Sequence, residues 1–172
     1  MRDAIRTDAP CPGANHNPRV LRQVVRTVGR TRTFEWACEH GHAAVVESLL
    51  REGGVPDHRS GLTALMLASR AGHAAVVALL LRRKDVKVNA VDPGEGLTAL
   101  IMASRAGHAD VVALLLRRKD VKVGGSALIV ACSRGHLAVV ALLLEHPRVD
   151  VHKQNLYGLT PLDQASLSGH LA

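Results

Sequence analysis

Along most of this chain the apolar residues fall into short paired clusters separated by a Gly-His dipeptide. The first cluster of a pair reads Ala-Leu-x-x-Ala-Ser, as in Ala64 to Ser69. The second is denser, as in Val76 to Leu81. Thr63 and Thr98 stand where an N-cap hydroxyl is wanted, and Gly72 and Gly107 where a left-handed residue stops a helix. The pattern predicts a two-turn helix, a tight turn, and a second helix over Ala74 to Arg83. In that second helix Val76, Val77, Leu79, Leu80 and Leu81 make a broad apolar face. Arg82, Arg83 and Lys84 close it where cations oppose the helix dipole. Helices of two turns do not persist alone in water, so each pair must be held by its neighbours. Ala64, Ala68 and Ser69 are small enough to permit that close approach.

The clusters repeat almost verbatim. Residues 61–88 and 96–123 agree at 25 of 28 positions, differing only at Met66/Ile101, Leu67/Met102 and Ala75/Asp110. The Gly-His dipeptide recurs at Gly41, Gly72, Gly107, Gly135 and Gly169, at spacings of 31, 35, 28 and 34 residues. This resembles the ankyrin repeat family, whose pattern of Gly-x-Thr-Pro-Leu-His-x-Ala, Gly-His and a Val-x-x-Leu-Leu helix returns about every 33 residues. The resemblance covers residues 33–172 and implies an all-α solenoid of stacked helix-turn-helix units joined by short hairpin loops. Its units lie near 33–60, 61–95, 96–123, 124–157 and 158–172, with the last one truncated. Three departures stand out. The family's His after Leu is replaced by Met66, Ile101, Ile129 and Asp163, which leaves the helix start to hydrophobic packing. Val123-Gly124-Gly125-Ser126 replaces the longer stretch from Val88 to Thr98, so a hairpin is cut short and Gly124-Gly125 reads as a turn. The final unit stops after one helix, begun by Thr160-Pro161-Leu162, without an outer helix or a polar cap; the chain reads as a fragment or a truncated frame.

Composition narrows the picture. Apolar residues are 47% of the chain and aromatics 2%, only Phe34, Trp36 and Tyr157, so the core must be Ala, Val and Leu. The longest apolar runs, Ala74 to Leu81 and Leu137 to Leu144, are too short to span a bilayer. Of the net charge of +7, residues 1–32 carry +5. That segment reads as a loop followed by an amphipathic helix over Arg19 to Arg32 that caps the first unit; the competing reading lays it on an anionic membrane. A mitochondrial presequence is opposed by Asp3, Asp8 and three prolines, and a secretory signal by the missing apolar stretch. Three scattered cysteines point to a reducing compartment, the cytoplasm or the nucleus.

The chemistry sought in the side chains is mostly not catalytic. The Gly-His histidines recur too far apart, about 8 to 10 Å on neighbouring helices, to share a metal. They read as structural groups bonding backbone at the inter-helix turn. Cys38/His42 and Cys132/His136 have ligand-like spacing, but Ser69 and Ser104 occupy the matching place, so the position asks only for a small side chain. No nucleophile elbow, phosphate loop or carboxylate pair is present, which predicts a non-enzymatic protein without metal or cofactor. The triplets Arg82 to Lys84 and Arg117 to Lys119 would stack into a basic stripe. With residues 1–32 they support an alternative role in contacting nucleic acid or an anionic membrane. What the family resemblance implies instead is a partner protein or peptide on a concave face, the chain itself being a monomer unless its uncapped C-terminal end pairs. The matching positions are Leu62, Leu97 and Leu159 between Gly and Thr, Arg70, Arg105 and Arg134 near Gly-His, and the hairpin residues Arg59, Asp92, Glu95 and Tyr157. Solvent-facing Leu62 and Leu97 rimmed by arginines would suit an acidic, partly hydrophobic peptide.

Overall fold

A computed structural model describes residues 18–53 and 62–170. Among them are ten helices and no strand: α1 (Pro18–Val28), α2 (Arg30–Glu39), α3 (Ala43–Glu52), α4 (Ala64–Ala71), α5 (Ala74–Leu81), α6 (Ala99–Ala106), α7 (Ala109–Leu116), α8 (Gly125–Arg134), α9 (Leu137–Leu144) and α10 (Pro161–Leu167). From α2 to α9 they form antiparallel pairs, and α10 follows as a first helix packed on α8. The first helices α2, α4, α6, α8 and α10 pack successively into one layer, and the second helices α3, α5, α7 and α9 into another. The result is a solenoid in which each unit touches only its neighbours.

The helix ends follow from local chemistry. Thr63 and Thr98 accept the backbone N–H of Met66 and Ile101, and Gly72 and Gly107 end α4 and α6 with φ near +80 and +81°. α5 stops at Leu81, with Arg82 as its C-cap, two residues before the predicted end. The orphan carbonyl of Leu81 is satisfied instead from the next unit, by Arg118 Nη1 at 2.7 Å. Arg148 likewise crosses to the Lys119 carbonyl, in the loop after α7, at 3.0 Å, and within the first pair Arg30 at the start of α2 bonds the Leu49 carbonyl in the last turn of α3 at 2.7 Å. Met66 is buried beneath Thr63, as expected of a hydrophobic helix start. Asp163 departs from that expectation: its carboxylate accepts the Thr160 N–H at 2.9 Å, and its own N–H returns to Thr160 Oγ1. The start of α10 is therefore held by a polar reciprocal cap.

Two further expectations change. Residues 19–32 do not form one helix, because Gly29 at φ +92° breaks the chain and starts α2 at Arg30. α1 packs on α2 and sets Val25 against the core. Gly124-Gly125 is not a free turn either. Gly124 is the N-cap of α8, and Gly125 is its buried first residue. A Cβ on Gly125 would fall 2.1 Å from Lys153 Cβ and 2.6 Å from the Asp150 carbonyl. Shortening this hairpin lets the next one close directly over the start of α8.

The core runs as a ladder through the stack: Phe34, Leu49, Leu65, Leu80, Leu115, Leu128 and Leu143 are fully buried. Each such side chain contributes about 1.5 to 3 kcal/mol by leaving water. The ladder thins at α9, where Val139 and Leu143 are buried but Leu137 is 72% exposed. Two defects remain inside it. Ser69 Oγ and Ser104 Oγ are buried with no hydrogen-bond partner. Removing an unsatisfied buried hydroxyl is favourable, so Ser69→Ala and Ser104→Ala should each raise stability by about 1 kcal/mol in urea unfolding. Gly125→Ala should lower it by about 1 to 3 kcal/mol, whereas Gly124→Ala, whose Cβ meets nothing within 4 Å, should stay within about 0.5 kcal/mol.

Candidate functional site

The recurring histidines prove to be staples between units. His73 Nε2 lies 2.9 Å from the carbonyl of Glu39, His108 Nε2 3.2 Å from that of Arg70, and His136 Nε2 3.2 Å from that of Arg105. Each imidazole bonds backbone, as the sequence suggests, but in the preceding unit. The ring also fills the space above that unit's glycine. A Cβ on Gly41, Gly72 or Gly107 would meet the incoming ring at 2.6, 2.6 or 2.7 Å. Glycine is thus required twice at these turns, for its left-handed backbone and for the missing side chain. In the first unit His42 makes a different contact. There Trp36 is stacked between His40 and His42, with both ring centroids at 4.5 Å.

Among the described residues no group of three or more His, Cys, Asp or Glu is placed to hold a metal ion. Burial pushes the Cys38 thiol up to about 12, with the nearby Glu35 charge adding to the effect, and burial also raises Cys132. Both are poor nucleophiles and poor ligands in this state. No helix among the described residues is long and apolar enough to cross a membrane.

The residues expected to meet a partner divide into occupied and open ones. Arg59 lies outside the described residues. Leu62 and Leu97 are half-buried against the core rather than solvent-facing, and Leu159 is half-buried as well. The Asp92 carboxylate accepts backbone N–H groups of Glu95, Leu97 and Gly94, which hold its pKa below the ordinary aspartate value. It shapes the hairpin from within. Arg70 pairs with Glu39 of the preceding unit at 2.9 Å, and Arg105 with Glu95 at 2.6 Å. Arg134 is exposed and forms no ion pair among the described residues. Tyr157 is 86% exposed, and its neighbour Leu156 is completely exposed. Leu156, Val91 and Leu162 supply open apolar surface that the sequence reading missed; position at a hairpin tip was the available signal for the first two.

The staples and the buried thiol give two tests. His108→Ala removes both the Arg70 bond and the ring above Gly72, and should cost about 1 to 3 kcal/mol in chemical denaturation. His152→Ala, at an exposed side chain, should change stability by less than about 0.5 kcal/mol. The Cys38 thiol stays protonated in the fold above the ordinary value of 9.0, so its contribution is complete below that pH. It is lost as pH rises toward the folded value, by up to about 1.4 kcal/mol per unit. Unfolding midpoints measured between pH 8 and 11 should fall accordingly, and Cys38→Ala should flatten the decline.

Two family models match the chain: "Ankyrin repeats (3 copies)" over residues 34–124 and "Ankyrin repeats (many copies)" over residues 128–172. A search of curated proteins finds no match. Ankyrin repeats are generally protein–protein interaction modules. With paired helices in two layers, left-handed glycines at the turns and family matches across the stack, the chain belongs to the ankyrin repeat family.

Proposed function

We propose that this protein is a non-enzymatic scaffold that holds a partner protein or peptide on the surface formed by its hairpin tips and the exposed ends of its first helices. The observation that carries the reading is a pair of exposed features toward the C-terminal half: Arg134 at the end of α8, which has no ion pair among the described residues, and the projecting Leu156-Tyr157 tip. Arginine and tyrosine are the side chains that most often anchor interfaces, and they combine charge with apolar area. An acidic segment with large apolar residues fits that combination. Arg70 and Arg105 extend the cationic side of the surface, although their ion pairs must be exchanged for contacts with the partner. The helices behind are fixed by buried ladders and staples, so little ordering entropy is lost on binding. The buried, protonated Cys38 and the half-buried Cys132 fit a reducing compartment, cytoplasmic or nuclear.

Arg134→Glu with Tyr157→Ala tests the surface without disturbing the core. The double variant should unfold within about 2 °C of the parent, as expected for exposed positions. It should bind a partner recovered by affinity capture at least about 10-fold more weakly in titration calorimetry. Equal affinity for the same partner would place the binding face elsewhere.

A further inference from the structure

The charge of the repeat stack is strongly segregated. Residues 82–87 and residues 117–122 each hold four basic side chains and one acidic one, net +3 apiece, whereas residues 33–172 as a whole carry only +2. Everything else in the stack is therefore net −4. The two segments are the ledges that follow α5 and α7, at the opposite end of the helix pairs from the Gly-His turns. Arg70, Arg105 and Arg134 sit at the Gly-His end, so the ledges form a different surface.

Within each ledge the acid is already neutralised. Arg83 grips Asp85 with two hydrogen bonds of 3.1 Å, and Arg118 grips Asp120 at 2.9 and 2.7 Å. That leaves Arg82, Lys84, Lys87, Arg117, Lys119 and Lys122, all exposed. The spacing of the two rows is fixed. Asn89 donates to the Asp120 carbonyl and accepts from the Lys122 N–H, both at 2.7 Å, and Arg118 also ties its ledge to the Leu81 carbonyl. Adjacent units lie roughly 10 Å apart, so the six cations form two braced rows at about that distance.

The patch is also finite. In the following unit Glu145 stands where Arg82 and Arg117 do, Pro147 replaces the lysine, and Asp150 replaces Lys87 and Lys122. Glu145 and Asp150 are exposed. On the other side Arg51 and Glu52 cancel. A membrane plane or a long duplex running along the stack would meet these carboxylates. The described aromatic residues, Phe34, Trp36 and Tyr157, lie in other segments, so the rows have no platform on which bases could stack. We propose that the two ledges together form a docking site for one short acidic segment of a partner protein. An extended chain rises about 3.3 Å per residue, so three residues bridge the rows and about six to eight cover the patch.

The probe is a fluorescein-labelled peptide of eight glutamates, titrated by anisotropy into the full chain at 150 mM salt. A 20-base-pair duplex and vesicles containing 30% phosphatidylserine are run alongside. The peptide should bind saturably. Arg82→Gln, Lys84→Gln, Arg117→Gln and Lys119→Gln together should weaken it at least about 10-fold, since each exposed ion pair is worth about a factor of two. Lys84→Gln with Lys119→Gln, a milder variant, should weaken it about 3- to 4-fold and secures the result if the fourfold variant loses helicity. Arg70→Gln with Arg134→Gln, at the other end of the helices, should leave peptide affinity unchanged while weakening the partner of the first-helix face. Absence of peptide binding, or equal binding by the ledge variants, overturns the proposal. So does tighter, ledge-dependent binding of the duplex or the vesicles, which would assign the rows to nucleic acid or lipid.

Discussion

A helix of eight residues has too few internal hydrogen bonds to offset the ordering of its own backbone, and six of the ten described helices are that short or shorter. Their stability is a property of adjacency. The Leu and Val ladder supplies most of it without direction, since apolar burial alone lets neighbouring units slide. Direction comes from polar contacts that cross between units. An imidazole enters the space left by a glycine and bonds a carbonyl beside it, an arginine caps the end of the neighbouring unit's second helix, and Asn89 joins two ledges. These contacts admit one register. The Gly-His turn is therefore both the end of one helix and the socket for the next unit.

The fold could be read from the chain because its determinants are local or periodic. Thr63 and Thr98 announce their helices, Gly72 and Gly107 stop them, and the 28-residue near-copies reveal the stack directly. The surface was harder to read, because its state depends on residues some thirty positions away. Arg70 looks free in sequence until Glu39 arrives from the preceding unit, and His108 reaches Arg70's carbonyl across 38 residues. Leu62 and Leu97 occupy positions exposed in the repeat pattern but lean onto the core. Asp92 shows the same limit at short range. Its sequence identity suggests a charge for a partner, yet three backbone amides of its own hairpin use that charge. Gly125 was misread for a related reason: nothing in Gly124-Gly125 records that Lys153 will press against one of the two.

Near-identity between units constrains function as well as fold. Where two units agree, whatever one presents to solvent is presented again one period along, as with Arg82/Lys84/Lys87 and Arg117/Lys119/Lys122. Weak contacts become useful when they are doubled at a fixed spacing, because the second forms at high effective concentration once the first is made. The rigid cross-unit ties supply that spacing. Position-specific recognition, by contrast, must use features that are not repeated. Here those are the shortened loop before α8, the Leu156-Tyr157 tip and the exposed Arg134, all toward the C-terminal half.

The two kinds of surface therefore make different thermodynamic demands. A doubled row of exposed cations depends on long-range charge and weakens with salt, while discriminating little among acidic sequences. A tip with a fully exposed leucine and a tyrosine gains from apolar burial, which salt screens little, and rewards shape. The ledges and the tip lie at one end of the helix pairs and Arg134 at the other, so one chain can engage one partner across both ends or two partners separately. In either arrangement the links between units, rather than any single helix, set the distance between the contacts.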